Sequence, residues 1–198
     1  MRLPQLGMAI LFALGVPAGI SPGRSPSETA VFAGGCYWGV EAVFEHLRGV
    51  DSVAAGYARG AAGEPGRPVE AVQVVYRPDE ISYQELLEVF FQIAHDPTSR
   101  DRQGPDAGPE YRAVVFSRDA EQRRLAVAFV AALSREHRFA GAIVTEIQPF
   151  GRFERVGASE QNYAARHPDD PYIRHNDAPK LERLRRAFPK LYREPSAD

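Results

Sequence analysis

Cysteine is almost absent: the 198 residues contain a single one, Cys36. No disulfide can form within the chain, so the fold must rest on a hydrophobic core. Histidine is sparse as well. His46, His95, His137, His167 and His175 are scattered, and no pair has the i, i+4 spacing of a zinc-binding helix, so no metal site is expected. There is no internal repeat, no low-complexity block and no Pro/Gly linker between two apolar halves. Residues 28–198 therefore read as a single domain. A surplus of charge is also missing. The formal net charge is -2, and the arginines are spread along the chain, which argues against nucleic acid or an anionic membrane as the main partner. The apolar run Leu6 to Val16 falls short of the roughly 20 residues that span a bilayer, so no stable membrane anchor is expected. It follows Arg2 and ends in Pro17-Ala18-Gly19. Residues 1–27 thus read as a secretory signal peptide and flexible lead. Export to the periplasm or exterior is the expectation, with the cytoplasm as the location if this segment is not a leader.

What is present is an ordinary globular balance, 44% hydrophobic and 25% charged. Thr29 to Phe32 predicts a strand that ends in Gly34-Gly35. Val40, Val43, Phe44 and Leu47 recur at helical spacing, and Arg48-Gly49 closes that helix. Ser52 to Tyr57 and the β-branched run Val69 to Tyr76 predict strands, separated by a Gly/Ala/Pro-rich loop from Arg59 to Pro68. A helix follows from about Ser82, then a polar loop from His95 to Gly108. Tyr111 to Phe116 predicts a strand, Glu121 to His137 a helix, and Ile143 to Ile147 a strand. Gly151 to Pro171 reads as irregular with a helical turn near Ser159 to Arg166. Lys180 to Phe188 forms a charged terminal helix. The order β-α-β-β-α-β-α-β predicts an α+β fold: a two-layer sheet with helices on one side, a ferredoxin-like split βαβ core with long irregular loops.

The chemistry concentrates at Gly34-Gly35-Cys36-Tyr37-Trp38-Gly39. Two glycines permit a tight strand-to-helix turn. A thiol at the helix start faces unpaired N–H groups and the positive end of the dipole, both of which favour thiolate. Tyr37 and Trp38 set two aromatic rings beside it, a surface suited to a small apolar group such as a methyl. Gly39 keeps space near the sulfur clear. Taken without these neighbours, a lone cysteine would read as a small buried hydrophobe. His95-Asp96-Pro97 reads as a loop-forming element and not as half of a Cys-His pair.

The stretch Phe32-Ala33-Gly34-Gly35-Cys36-Tyr37-Trp38-Gly39-Val40-Glu41 resembles the active-site signature of the A-type peptide methionine sulfoxide reductases. The resemblance continues through Gly56-Tyr57, Val69-Glu70-Ala71-Val72, Val75-Tyr76-Arg77-Pro78, His95-Asp96-Pro97-Thr98, Arg102-Gln103-Gly104, Asp106 and Tyr111-Arg112. It implies that Cys36 attacks the sulfoxide sulfur of the S epimer and that Glu70, held protonated by a desolvated site, protonates the oxygen. It implies further that Tyr111 hydrogen-bonds the oxygen, that Asp106 positions water or the thiol partner, and that Tyr37 and Trp38 bind the substrate. Methionine would leave a Cys36 sulfenic acid. With no second cysteine, an external thiol must reduce it: a thioredoxin-like donor, or dithiothreitol in vitro. No bound cofactor is implied. The substrates would be oxidised proteins or free methionine sulfoxide, and the expected state is a monomer.

Departures from the family pattern keep other readings open. The Arg59 to Pro68 loop is short, and the family's second substrate-binding tyrosine is expected to be lost with the missing piece. Glu160 stands where the family has a histidine, although Gln161 and Tyr163 are kept. A weakened relative that only binds methionine or methionine sulfoxide is one alternative. A thiol hydrolase, which needs a base beside Cys36, is another.

Overall fold

The computed structural model describes residues 25–62 and 67–194. The signal-peptide expectation falls almost wholly on residues 1–24 and lies outside them. Strand β1 (Glu28–Ala33) leads through the Gly34-Gly35 turn into helix α1 (Tyr37–Glu45). Strands β2 (Val50–Gly60) and β3 (Val69–Tyr76) follow, the latter at the bounds its β-branched run predicts. Helix α2 (Tyr83–Val89) starts at a capping box: Ser82 accepts from the Glu85 amide, and the Glu85 carboxylate accepts from the Ser82 amide. It runs on into a π-helical turn, Phe90–Ala94. The polar loop contains a two-stranded ribbon, β4 (Arg102–Gln103) and β5 (Asp106–Ala107). Then come β6 (Val114–Ser117), α3 (Ala120–Arg135), β7 (Glu146–Arg155), α4 (Tyr163–Arg166) and α5 (Ala178–Ala187).

The expected open, ferredoxin-like sheet is corrected at its edges. The main sheet is a closed barrel in the order β1-β3-β2-β7-β6, with β6 paired back to β1. Strand β7 makes the closure. Its first half pairs parallel to β6 and its second half antiparallel to β2. The sequence predicts a strand only over Ile143 to Ile147, because Pro149 and Gly151 followed by charged residues resemble a loop. In the structure those residues still complete the ladder, since Pro149 lies opposite Ser117 and Arg152 opposite Arg59. Tyr111 likewise does not start a strand; it ends a 3-10 turn, Pro109–Tyr111.

The two faces of the barrel wall divide the core. Val31, Ala33, Ala58, Val69, Ala71, Val114 and Phe116 form one cluster, small enough to fill a narrow barrel. Phe32, Val72, Val74 and Tyr76 face the other way, against Val40, Val43 and Phe44 of α1 and Leu86 and Leu87 of α2. Phe32 stacks on Phe44 at 5.0 Å and on Phe90 at 4.9 Å. Both faces of β3 are therefore buried along most of its length, which explains its continuous apolar run. Among the described residues no helix is long and apolar enough to cross a membrane.

Candidate active site

The turn into α1 sets the sulfur. Gly35 has φ +89°, and a Cβ there would lie 2.5 Å from the Gln103 side chain, so glycine is required on both counts. Cys36 is the N-cap of α1, half-buried, and makes no side-chain capping bond. The helix start does help the thiolate, through the Trp38 amide, and so does the Tyr172 hydroxyl. Burial outweighs both, and the Glu70 charge adds to it, so the thiol is pushed up to about 12. The expectation of a thiolate favoured by the helix end is thus met only in direction. At neutral pH the sulfur holds its proton.

Glu70 lies on β3, 8% exposed, and its Oε2 accepts from the Tyr37 amide at 3.0 Å. That bond places the carboxyl against the residue next to the sulfur. Burial above all, opposed by the Tyr37 amide and helped by the charges of Asp106, Glu110 and Glu160, raises its pKa to about 7. Near neutrality the group can therefore carry a proton, as an acid in this position must.

Aromatic rings wall the same space. Tyr37 meets Trp38 at 6.3 Å and Tyr57 at 6.1 Å, both edge-on. Trp38 stacks on Tyr163 at 3.9 Å, and Tyr172 meets it edge-on at 5.8 Å. The sequence leaves no residue for the place of a second tyrosine, but the structure brings a tyrosine from β2 to this wall. Tyr57, on β2 directly opposite Glu70, stands at the site and feels the charges of Glu70 and Cys36. The Tyr111 hydroxyl is pushed up to about 12, by burial first and then by Glu70, Asp106 and Cys36, so it faces the same group of residues.

Glu160 anchors the aromatic wall. Its carboxylate accepts from Trp38 Nε1 at 3.2 Å and from the Tyr37 hydroxyl at 3.5 Å, tying both rings to one anchor. Gln161 fixes the segment to β2, with its side chain bonded to both the amide and the carbonyl of Ala55. We expect Glu160→Ala to raise KM about five-fold with kcat little changed, because about 1 kcal/mol of ring positioning is lost. Steady-state kinetics on a blocked methionine sulfoxide would check this, and an unchanged KM would refute it.

Asp106 accepts a hydrogen bond from the Tyr172 hydroxyl. The Tyr172 hydroxyl also interacts electrostatically with Cys36, so it stands close to both the sulfur and Asp106. No motif in the sequence points to Tyr172, whose place beside Asp106 comes from the fold. Cys36, Asp106, Tyr172, His95 and Lys180 line a cavity of about 230 Å³. His95 is not a base for the thiol. Its ring nitrogens are held by the Phe90 carbonyl at 2.9 Å and Thr145 Oγ1 at 2.9 Å, and burial lowers its pKa to about 4. Among the described residues no cluster of His, Cys, Asp or Glu could hold a metal ion.

Gly39 leaves room for more than the sulfur. A Cβ there would lie 2.0 Å from Asp177 Oδ1 and 2.6 Å from Lys180 Nζ. These two form a 3.1 Å ion pair with Asp177 buried beneath α1. Gly39→Ala should therefore cost about 1–3 kcal/mol by overpacking, lowering Tm by about 2–4 °C for each kcal/mol. Thermal unfolding measures it, and a Tm equal to that of the native chain would contradict the packing described.

The sequence profile of the family described as peptide methionine sulfoxide reductase matches residues 28–191. The chain belongs to that family. A peptide methionine sulfoxide reductase MsrA from Natronomonas pharaonis is 45% identical over 171 residues, covering 82% of this chain and 96% of the relative. Among solved structures, reduced Mxr1 from Saccharomyces cerevisiae aligns with a TM-score of 0.65 at 26% identity, covering 75% of this chain and 88% of Mxr1. Mxr1 in complex with Trx2 aligns with a TM-score of 0.53 at 25% identity, covering 75% of this chain and 91% of Mxr1. Members of this reductase family are oxidoreductases, and that class fits a site built around one thiol and one protonatable carboxyl.

Proposed function

We propose that this chain is a peptide-methionine (S)-S-oxide reductase with a one-cysteine cycle. The observation that carries the reading is the bond from the Tyr37 amide to Glu70 Oε2, which sets an acid beside the nucleophile inside an aromatic wall. The methyl of the substrate rests against Tyr37 and Trp38. The oxygen is received by Glu70, Tyr57 and Tyr111. As the Cys36 sulfur bonds to the sulfoxide sulfur, the Glu70 carboxylate takes the thiol proton and passes it to the oxygen; the bond between the substrate's sulfur and that oxygen breaks, the oxygen ends on Cys36 as sulfenic acid, and methionine departs. Asp106 and Tyr172 position the sulfur and the incoming thiol.

With one cysteine in the chain, the oxygen on Cys36 is removed by two external thiols, giving water and a disulfide. The structure of Mxr1 in complex with Trx2 supports a thioredoxin-like donor. The reaction is tested by mixing reduced protein with each epimer of a methionine sulfoxide peptide and no other thiol. One methionine per chain from the S epimer alone is the expected result. No methionine from either epimer, with the thiol intact, would leave a methionine-binding module as the better account.

A further inference from the structure

The barrel face that carries Glu70 and Tyr57 continues past the aromatic wall. Alternate residues of a strand share a face. Tyr57 lies opposite Glu70 on β3 and opposite Glu154 on β7, and two residues on, Arg59 lies opposite Arg152. Tyr57, Arg59, Arg152 and Glu154, with Arg67 and Pro68, line a groove of about 360 Å³ in which Tyr57 forms the wall next to Tyr37. Its charge is one-sided. Three guanidinium groups face one carboxylate, and that carboxylate, Glu154, is paired with Arg152 at 3.2 Å. Arg59 and Arg67 have no carboxylate partner among the described residues. The chain as a whole carries a formal charge of -2, so this basic patch runs against the overall balance. It is also open to a ligand, with the Arg152 side chain 69% exposed.

We propose that this groove binds acidic side chains flanking the oxidised methionine, so that the enzyme selects sulfoxides in acidic segments of polypeptide. The proposal rests on the reductase reading, which places the substrate methyl against Tyr37 and Trp38. The strand rise of about 3.3 Å per residue puts Arg59 about 7 Å from Tyr57, the reach of a residue one or two positions from the methionine in an extended peptide. Guanidinium groups suit carboxylates through paired N–H donors.

The test compares blocked peptides in which methionine sulfoxide is flanked by aspartate, serine or lysine. At low ionic strength kcat/KM should fall about ten-fold from aspartate to lysine, and the gap should shrink in high salt. In the Arg59→Gln, Arg152→Gln double variant the ratio between the aspartate and serine peptides should fall to one. Binding of the same peptides to Cys36→Ser protein gives a second reading that needs no turnover. A preference in binding with no turnover on any peptide would sink the reductase reading and leave the groove standing. Equal values for all three peptides in both measurements would overturn the groove. So would a preference confined to free methionine sulfoxide over its amide, because the arginines would then read the α-carboxylate and not a neighbouring side chain.

Discussion

Cys36→Ser should yield no methionine from either epimer, where the native chain yields one equivalent and stops. The argument runs from the sulfur's setting. Only sulfur can both attack the sulfoxide and keep its oxygen as sulfenic acid; a serine hydroxyl at this helix start is a far weaker nucleophile and has no comparable oxidised product. The native burst should end at one methionine per Cys36, because no second thiol in the chain can resolve the product. The intact mass should rise by about 16 Da, the oxygen gained by sulfur. Adding dithiothreitol should restart turnover in the native protein and do nothing for the variant. The substitution is nearly isosteric at a half-buried position, so the fold should persist and the loss should read as chemistry. Methionine from Cys36→Ser at the native rate would remove Cys36 from the mechanism.

Much of this site was legible because its parts are local. The Gly34-Gly35 turn, the helix start at Cys36 and the bounds of β3 all follow from short-range rules, and they place the nucleophile and the acid on neighbouring elements. The barrel was not legible, because it closes through pairings far apart in sequence: β1 with β6, and β7 with both β6 and β2. Those same pairings decide what stands beside Glu70. In the sequence Tyr57 is the end of a predicted strand and part of Gly56-Tyr57, and its place at the site comes from the β2–β3 register, which periodicity does not give. Tyr172 lies 66 residues from the Asp106 it bonds. The acidity of Cys36 failed for another reason. A helix end is visible in sequence, whereas the depth of burial that opposes it is a property of the assembled protein.

Glu70→Gln should lower kcat/KM by about 10²–10⁴, or about 3–5 kcal/mol, since an amide keeps the shape but has no proton to give to the leaving oxygen. The pH dependence carries the finer argument. Burial holds Glu70 at about 7 and, with the Glu70 charge, holds Cys36 at about 12. Below pH 7 the pair binds two protons, one on each group. Between these values it binds one, and that proton sits mainly on sulfur. The reactive arrangement, thiolate beside carboxylic acid, has the same count of one proton and differs only in where it lies. The native kcat/KM should therefore rise as pH increases through about 7, as the second proton is lost, and then stay level into the alkaline range. Glu70→Gln has no such proton to shed and should show no inflection near 7. A native profile that instead fell above pH 7 would mean that Glu70 donates a proton independent of the one on sulfur, and that the thiol loses its own by another route.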